Sequence, residues 1–388
     1  MNPRIIVLAL STFAFGSGAL IFSGLLEMLA ADLGVSAGVA GQLQTAYVLT
    51  SAFAGPPLAF LVGRLERKTV LLAALALAIG LNVICMITRD FAHLLIFRAI
   101  VGATAALAGP AASSAAAALA PPEKRGAALA VVGGGMTVAF LMGIPMGSVV
   151  GSLFGWRSAF ALAAGLAALA FVGIALFLPR VQPPPPALGG GLTLSRTAPM
   201  YMATFLAFGA NMTITTYIAV VLRLQAGVVG AGVAAFQIMV GLGSLVGLTL
   251  GGRAADRDLG RMSVTVSFLG LATAAAMHGA ALLHVLPAGW PTYVFVALTL
   301  FTGSVSLFSV MPVVQSRLIT AAPNAAPLAL ALNGSSASCG QALGASIGGA
   351  VLGAFGGPGL PVAAAAIALC AAMIWWRAAK HAPQPVPA

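Results

Sequence analysis

Charge is what this sequence has least of. Only 6% of its 388 residues are Asp, Glu, Lys or Arg, against about 25% in an ordinary soluble domain. Sixty per cent are hydrophobic and the mean hydropathy is +1.06. So little polar surface cannot clothe a globule in water, and the solvent must be lipid. Carboxylates are scarcer still, seven in all, beside four histidines and three cysteines. A hydrolytic or metal site is hard to build from so few groups, and nothing clusters nucleophiles, acids or ligands as an enzyme would. Cys85, Cys339 and Cys370 lie inside apolar runs without metal-ligand spacing and read as buried thiols. No metal or cofactor is expected. Strict alternation of apolar and polar residues is also missing, which disfavours a closed barrel.

What is present is a series of long apolar runs. A spanning helix needs about 20 mostly apolar residues. The chain divides into runs at roughly 5–29, 40–62, 69–88, 92–118, 126–151, 157–178, 199–222, 230–252, 262–285, 290–316, 326–352 and 358–379. The first, behind Arg4, is too long for a signal-peptide core and has no clean cleavage region after it. Two short basic turns stand at matching places in the two halves: GPPLAFLVGRLERK (55–68) and GLTLGGRAADRDLGR (247–261). They imply a duplicated all-α membrane protein, with twelve transmembrane helices in two pseudo-symmetric six-helix bundles. A Pro- and Gly-rich stretch separates the halves. The expected organisation is 1–180 for the first bundle, 181–198 for a cytoplasmic linker, 199–380 for the second bundle and 381–388 for a disordered tail.

The net charge of +11 resembles a nucleic-acid signal until the cations are placed. They sit at the edges of apolar runs, not in a patch. With the N-terminus inside, the inner segments hold Arg4, Arg64, Arg67, Lys68, Lys124, Arg125, Arg180, Arg196, Arg253, Arg257, Arg261, Arg317, Arg377 and Lys380; the outer edges hold Arg89, Arg157 and Arg223. This bias predicts both termini in the cytoplasm, and a lipid bilayer, not nucleic acid, as the partner.

Glycine is concentrated in two helices. The fifth carries Gly133, Gly134, Gly135, Gly143, Gly147 and Gly151 around Pro145; the eleventh carries Gly334, Gly340, Gly344, Gly348 and Gly349. Small residues at a spacing of four let helices approach closely in lipid, and they also make bending easy. Glycine-broken helices at corresponding places of two halves point to the moving parts of a transporter; static close packing is the other reading.

Five segments, in order, carry a resemblance. These are GLLEMLAADLGVSAGVAGQLQTAYVL (24–49), Gly63–Lys68, Arg98 with Gly102, Gly143-Ile-Pro145-Met-Gly147, and Gly155-Trp156-Arg157-Ser158-Ala159-Phe160. Together they resemble the major facilitator superfamily, and within it the twelve-helix drug/proton antiporter branch of arabinose-efflux-like, purine-efflux-like and chloramphenicol-resistance permeases. The resemblance implies a monomeric permease of the bacterial inner membrane that exports a small organic molecule, drug, sugar or nucleoside-like, by alternating access in exchange for protons. A proton-independent facilitator or importer of a sugar-like or nucleoside-like solute is the alternative. The chain also departs from the pattern. Gly63 replaces the loop motif's Asp, Ala59 its leading Gly, and Ala19 stands where the branch often has a first-helix Glu. Glu27 follows G-L-L, where the branch usually has Pro.

The candidate residues follow. Arg98, about six residues or ~9 Å inside a span, is costly there and functional by default. The resemblance gives it a part in proton coupling; a structural Arg bonded to carbonyls of helices one or five is the plainer alternative. Glu27 is a second coupling candidate, able to approach Arg98 in place of the missing acid, or else an interfacial solvated carboxylate. His278 reads as packing. Arg64, Arg67, Lys68, Asp256, Arg257 and Arg261 form the latch that the resemblance places across the halves on the inside; plain topological anchoring is the simpler role. The substrate candidates are Gln44, Tyr47 and Ser51 on one stripe; Asn211, Thr215, Thr216 and Tyr217 in helix seven; and Asn333, Ser336 and Gln341 in helix eleven. Phe13, Phe15, Met136 and Met142 supply an apolar, adaptable wall.

Overall fold

A computed structural model describes residues 3–62, 65–121, 124–182, 194–257, 259–283, 285–287, 289–322 and 325–380. Gly63, Arg64, most of the expected linker and the tail 381–388 lie outside the described residues. Every element among the described residues is helical. Helix α1 runs Pro3–Leu20, pauses at a single tight turn, Ser23–Leu25, and resumes as Leu26–Asp32. It is followed by α2 (Gln42–Val62), α3 (Arg67–Ile87) and α4 (Phe91–Leu119). Helix α5 is made of Arg125–Val138, Ala139–Gly143 and Ile144–Phe154, and α6 is Arg157–Phe177. In the second half, α7 is the bent pair Leu194–Thr215 and Ile218–Ala226, followed by α8 (Gly232–Asp256), α9 (Gly260–Leu282), α10 (Trp290–Ala321), α11 (Ala326–Phe355) and α12 (Gly359–Lys380). Ten of these are long and apolar enough to cross a membrane, and the bent pair makes an eleventh. The 21 residues of α2 take the remaining place between α1 and α3, a length of about 31 Å at 1.5 Å per residue.

Glycine stripes determine which helices touch. A Cβ on Gly135, Gly143, Gly147 or Gly151 of α5 would strike Ala9, Ser17, Ile21 or Leu25 of α1. In the second half a Cβ on Gly340, Gly344 or Gly348 of α11 would strike the backbone oxygens of Phe205, Gly209 and Thr213 on α7. Gly102 of α4 lies against the Tyr47 carbonyl of α2; Gly243, Gly247 and Gly251 of α8 lie against Phe301, Val305 and Ser309 of α10. Each contact in one half has its counterpart six helices on, as a duplicated bundle requires. The close-packing reading of these glycines is therefore realised.

The bends differ from expectation. Helix α11 runs unbroken through all its glycines. The breaks fall in α1 and α7, each shortly after the same triplet, Ala14-Phe15-Gly16 and Ala207-Phe208-Gly209. In α7 the hydroxyls of Thr213 and Thr215 bond back to the carbonyls of Gly209 and Asn211. Such back-bonding weakens the helical ladder, and the axis turns by 53° between Thr215 and Ile218. In α5, Pro145 has no N–H for the Leu141 carbonyl, and the helix relaxes into a π-turn at Ala139–Gly143. Two cysteines also correct expectation: Cys85 is buried, but Cys339 is half-buried and Cys370 exposed.

Candidate functional site

Arg98 is fully buried in α4. Its two terminal nitrogens donate to the carbonyls of Gly18 at 2.9 Å and Ala19 at 2.8 Å. Those carbonyls end the first segment of α1, where a helix leaves its last oxygens without N–H partners and concentrates negative partial charge. Three rings surround the guanidinium: Tyr47 at 4.5 Å, Phe22 at 4.9 Å and Phe160 at 5.9 Å. The residues of the Gly155–Phe160 motif complete the frame. Gly155, at φ +88°, ends α5; Trp156 and Arg157 both donate to Asp32, closing the second segment of α1 against α6. Arg98 is thus a cap on a broken helix. Glu27 does not reach it.

Glu27 instead pairs with Arg223 of α7, 2.8 Å away across the seam between the halves. It is one of a group of contacts that close one end of the seam. Ser148 donates to Gln237 at 2.6 Å, and Gln237 in turn to Ser23 at 3.3 Å, all three buried. Thr45 meets Ser346 at 3.2 Å. Gly38 lies on the backbone of Gly349. Tyr217, fully buried at the α7 break, donates to the Ala345 carbonyl at 2.8 Å and lies 3.4 Å from that of Gly38. Leu20 and Ile144 extend the first half into the core of the second, and Phe140 meets Phe308 edge-on at 5.1 Å. Of the residues expected to form a latch at the opposite, basic end, Arg67 and Lys68 bond within the first half, and Arg64 lies outside the described residues. Arg67 donates to Ser114 and Lys68 to the Ala175 carbonyl, fastening α3 to α4 and α6; Arg253, Asp256, Arg257 and Arg261 are exposed.

A family model for the Major Facilitator Superfamily matches residues 8–323. The chain belongs to the Major Facilitator Superfamily. The uncharacterised MFS-type transporter YfhI of Bacillus subtilis is 29% identical over 356 residues, covering 90% of this chain and 86% of its own. The inner membrane transport protein YdhP of Escherichia coli O157:H7 is 29% identical over 398 residues, covering 98% and 97%. The fold is similar to that of a bacterial homologue of the human lysosomal transporter Spinster in an inward-facing, occupied conformation (TM-score 0.79, 18% identity, 98% of each chain).

In this superfamily chain the expected substrate residues separate into three groups. Gln44 and Ser51 of α2 fall between Tyr47, which faces Arg98, and Thr45, which faces Ser346, and so point toward the seam. On α11, Gln341 falls between Ala342, packed with Tyr47 and Val48 of α2, and Gly340, packed on α7; Ser338, not foreseen, shares that side. Phe13 lies two turns before Leu20 on one face, and Met136 rests on Gly16 of α1. These residues stay with the seam.

The second group serves packing. Phe15 belongs to the first-half core and its carbonyl accepts the Tyr47 hydroxyl. Met142 falls with Met146, Val149 and Leu153 on the exposed outer flank of α5. Asn333 accepts a bond from Thr204 of α7, and Ser336 donates to its own helix. The third group lines a different chamber. Asn211 and Thr215 face into the second bundle, where a cavity of about 30 Å³ is also lined by His278, Thr299 and Ser304. There Gln225 holds the His278 ring, and its Nε2 donates to the His278 carbonyl at 2.8 Å. The sequence stripe showed that Asn211 and Thr215 need polar surroundings, but not which of two polar places supplies them.

One feature of the seam is unusual. Gln44 is fully buried, and neither its Nε2 nor its Oε1 has a hydrogen-bond partner; Thr216 and Ser17 also bury unpartnered hydroxyls. Buried polar atoms are paired in all but a few cases; among the described residues Gln44 leaves both of its side-chain polar atoms unpaired, and Asn82, Arg98 and Tyr201 one each.

Proposed function

We propose that this membrane transporter exports a small, neutral or weakly polar organic molecule by alternating access, with the basic end in the cytoplasm. The observation that carries the reading is the asymmetry of the seam, where side chains of both halves lock together at one end while at the basic end Arg67 and Lys68 bond within the first half and Arg253, Asp256, Arg257 and Arg261 are exposed. The wall offered to a substrate is uncharged: Gln44, Ser51, Ser338 and Gln341 among Phe13, Met136 and Phe140. Such a surface suits a ligand held by apolar contact and a few hydrogen bonds. The excess of cations at one end supports the orientation.

Proton exchange is proposed to act through Glu27. Protonating it would remove the charge that holds Arg223 across the seam and favour opening at that end, with Arg98 keeping α1 and α4 together meanwhile. A second reading, facilitated exchange without protons, is favoured by a specific observation: every carboxylate among the described residues is at least partly exposed. Exposed ion pairs such as Glu27–Arg223 contribute about 0.2–1 kcal/mol. Counterflow of a substrate panel in proteoliposomes, with and without a pH gradient, separates the two. Antiport requires the gradient to drive accumulation in the wild type, and Glu27→Gln to flatten the pH dependence. If exchange ignores the gradient, or the Glu27→Gln profile is unchanged, the facilitator reading stands. If no solute in the panel moves, the export reading itself is wrong.

A further inference from the structure

At the basic end, on the membrane-facing flank of the second half, α9 and α12 enclose a groove of about 370 Å³ lined by Leu259, Arg261, Met262, Thr265, Val266 and Trp376. Its position is fixed from behind. The buried Trp375 indole donates to the Arg261 carbonyl at 3.2 Å, Thr265 donates to the same oxygen at 3.0 Å, and the Arg317 guanidinium lies 5.7 Å from the Trp375 ring. These contacts tie the first turn of α9 to α12 and leave the Arg261 side chain exposed at the mouth. Away from the mouth the trough continues apolar, since Met262, Val266 and Leu269 on α9 and Trp376, Met373 and Leu369 on α12 are exposed along single faces.

We propose that this groove is a binding site for an anionic phospholipid, with the phosphate on Arg261 and an acyl chain along the trough. Charge complementarity selects this occupant. Arg253, Arg257 and Arg377 are exposed at the same end, and Asp256 is the acid described among them. The acyl chain by itself gives little preference, because bilayer tails are as apolar as the groove. Discrimination between lipids therefore rests on the headgroup, and a basic residue near the membrane surface favours an anionic one several-fold. An indole at the level of the headgroups is the usual aromatic anchor of that interface. The site does not depend on what the protein transports or in which direction.

Native mass spectrometry of the full chain, titrated with phosphatidylglycerol and phosphatidylethanolamine of matched chains, tests the site. The wild type is expected to retain the first phosphatidylglycerol adduct about fivefold better. Arg261→Gln should remove the preference, while Arg253→Gln at the same end should leave it. Met262→Trp, which fills the groove without changing charge, should lower adduct retention and keeps the test decisive if Arg261→Gln fails to fold. Glycerol phosphate, which has the headgroup chemistry but no chains, should not displace the adduct. Equal retention of both lipids by the wild type overturns the proposal. So does a preference that survives Arg261→Gln, one lost equally with Arg253→Gln, adduct retention unchanged by Met262→Trp, or displacement by glycerol phosphate.

Discussion

Replacing Arg98 by methionine is expected to destabilise the first half by about 3 kcal/mol or more and to abolish transport. The magnitude comes from what is left behind. Methionine fills much of the space between the Tyr47, Phe22 and Phe160 rings, but it offers nothing to the Gly18 and Ala19 carbonyls. Two buried oxygens at a helix C-terminus then lose charge-assisted bonds. Arg98→Lys should fall between the two, since an ammonium cannot span two carbonyls as a planar fork does and stacks poorly among rings. Thermal unfolding of the three proteins in one detergent provides the measurement. An Arg98→Met protein as stable as the wild type would mean that α1 holds its break without this cap.

Gln44→Met should have the opposite sign. In the conformer with the seam closed at its end, the Gln44 carboxamide is buried without a partner. An unsatisfied buried polar group costs about 1–3 kcal/mol, and in a conformer where that end opens, water relieves the cost. Methionine, close in volume and without polar atoms, removes the penalty from the closed form alone. The closed population should rise about tenfold or more. Spin labels at Val39 and Ala350, two exposed positions flanking the Gly38–Gly349 contact, would report it in a cysteine-free background. The short-distance population should grow in Gln44→Met. A shift toward longer distances would show that Gln44 finds its partner in the closed form.

The helical bundle was legible because its signals are local or cumulative. Apolar run length, cations at run edges and the paired basic turns each survive without knowledge of neighbours. The glycines of α5 and α11 were legible as contact surfaces, yet α11 does not bend. Glycine permits a break without requiring one, and packing on α7 holds α11 straight. The break in α7 follows two threonines that bond back to their own helix, a signal present at Thr213 and Thr215 but weak beside a glycine cluster. Gln237, Ser148 and Ser23 escaped notice because each is a lone polar residue on an apolar helix, and Arg223 was placed only as an outer-edge cation. Their partners lie far away in sequence and across the seam. Comparing Glu27 and Arg223, opposite charges just past the breaks of two corresponding helices, would have found one such pair. Arg98 was legible as costly, and carbonyls of helix one or five were among its expected acceptors; which oxygens they are was not, because backbone oxygens carry no letter in a sequence.

That choice of acceptors has a consequence for the moving parts. A carboxylate can release an arginine when a proton arrives; a peptide oxygen cannot, at any pH the cell reaches. The tie between α4 and the end of the first α1 segment therefore does not answer to protons, and in the proposed cycle the two helices travel as one rigid lever about the α1 break.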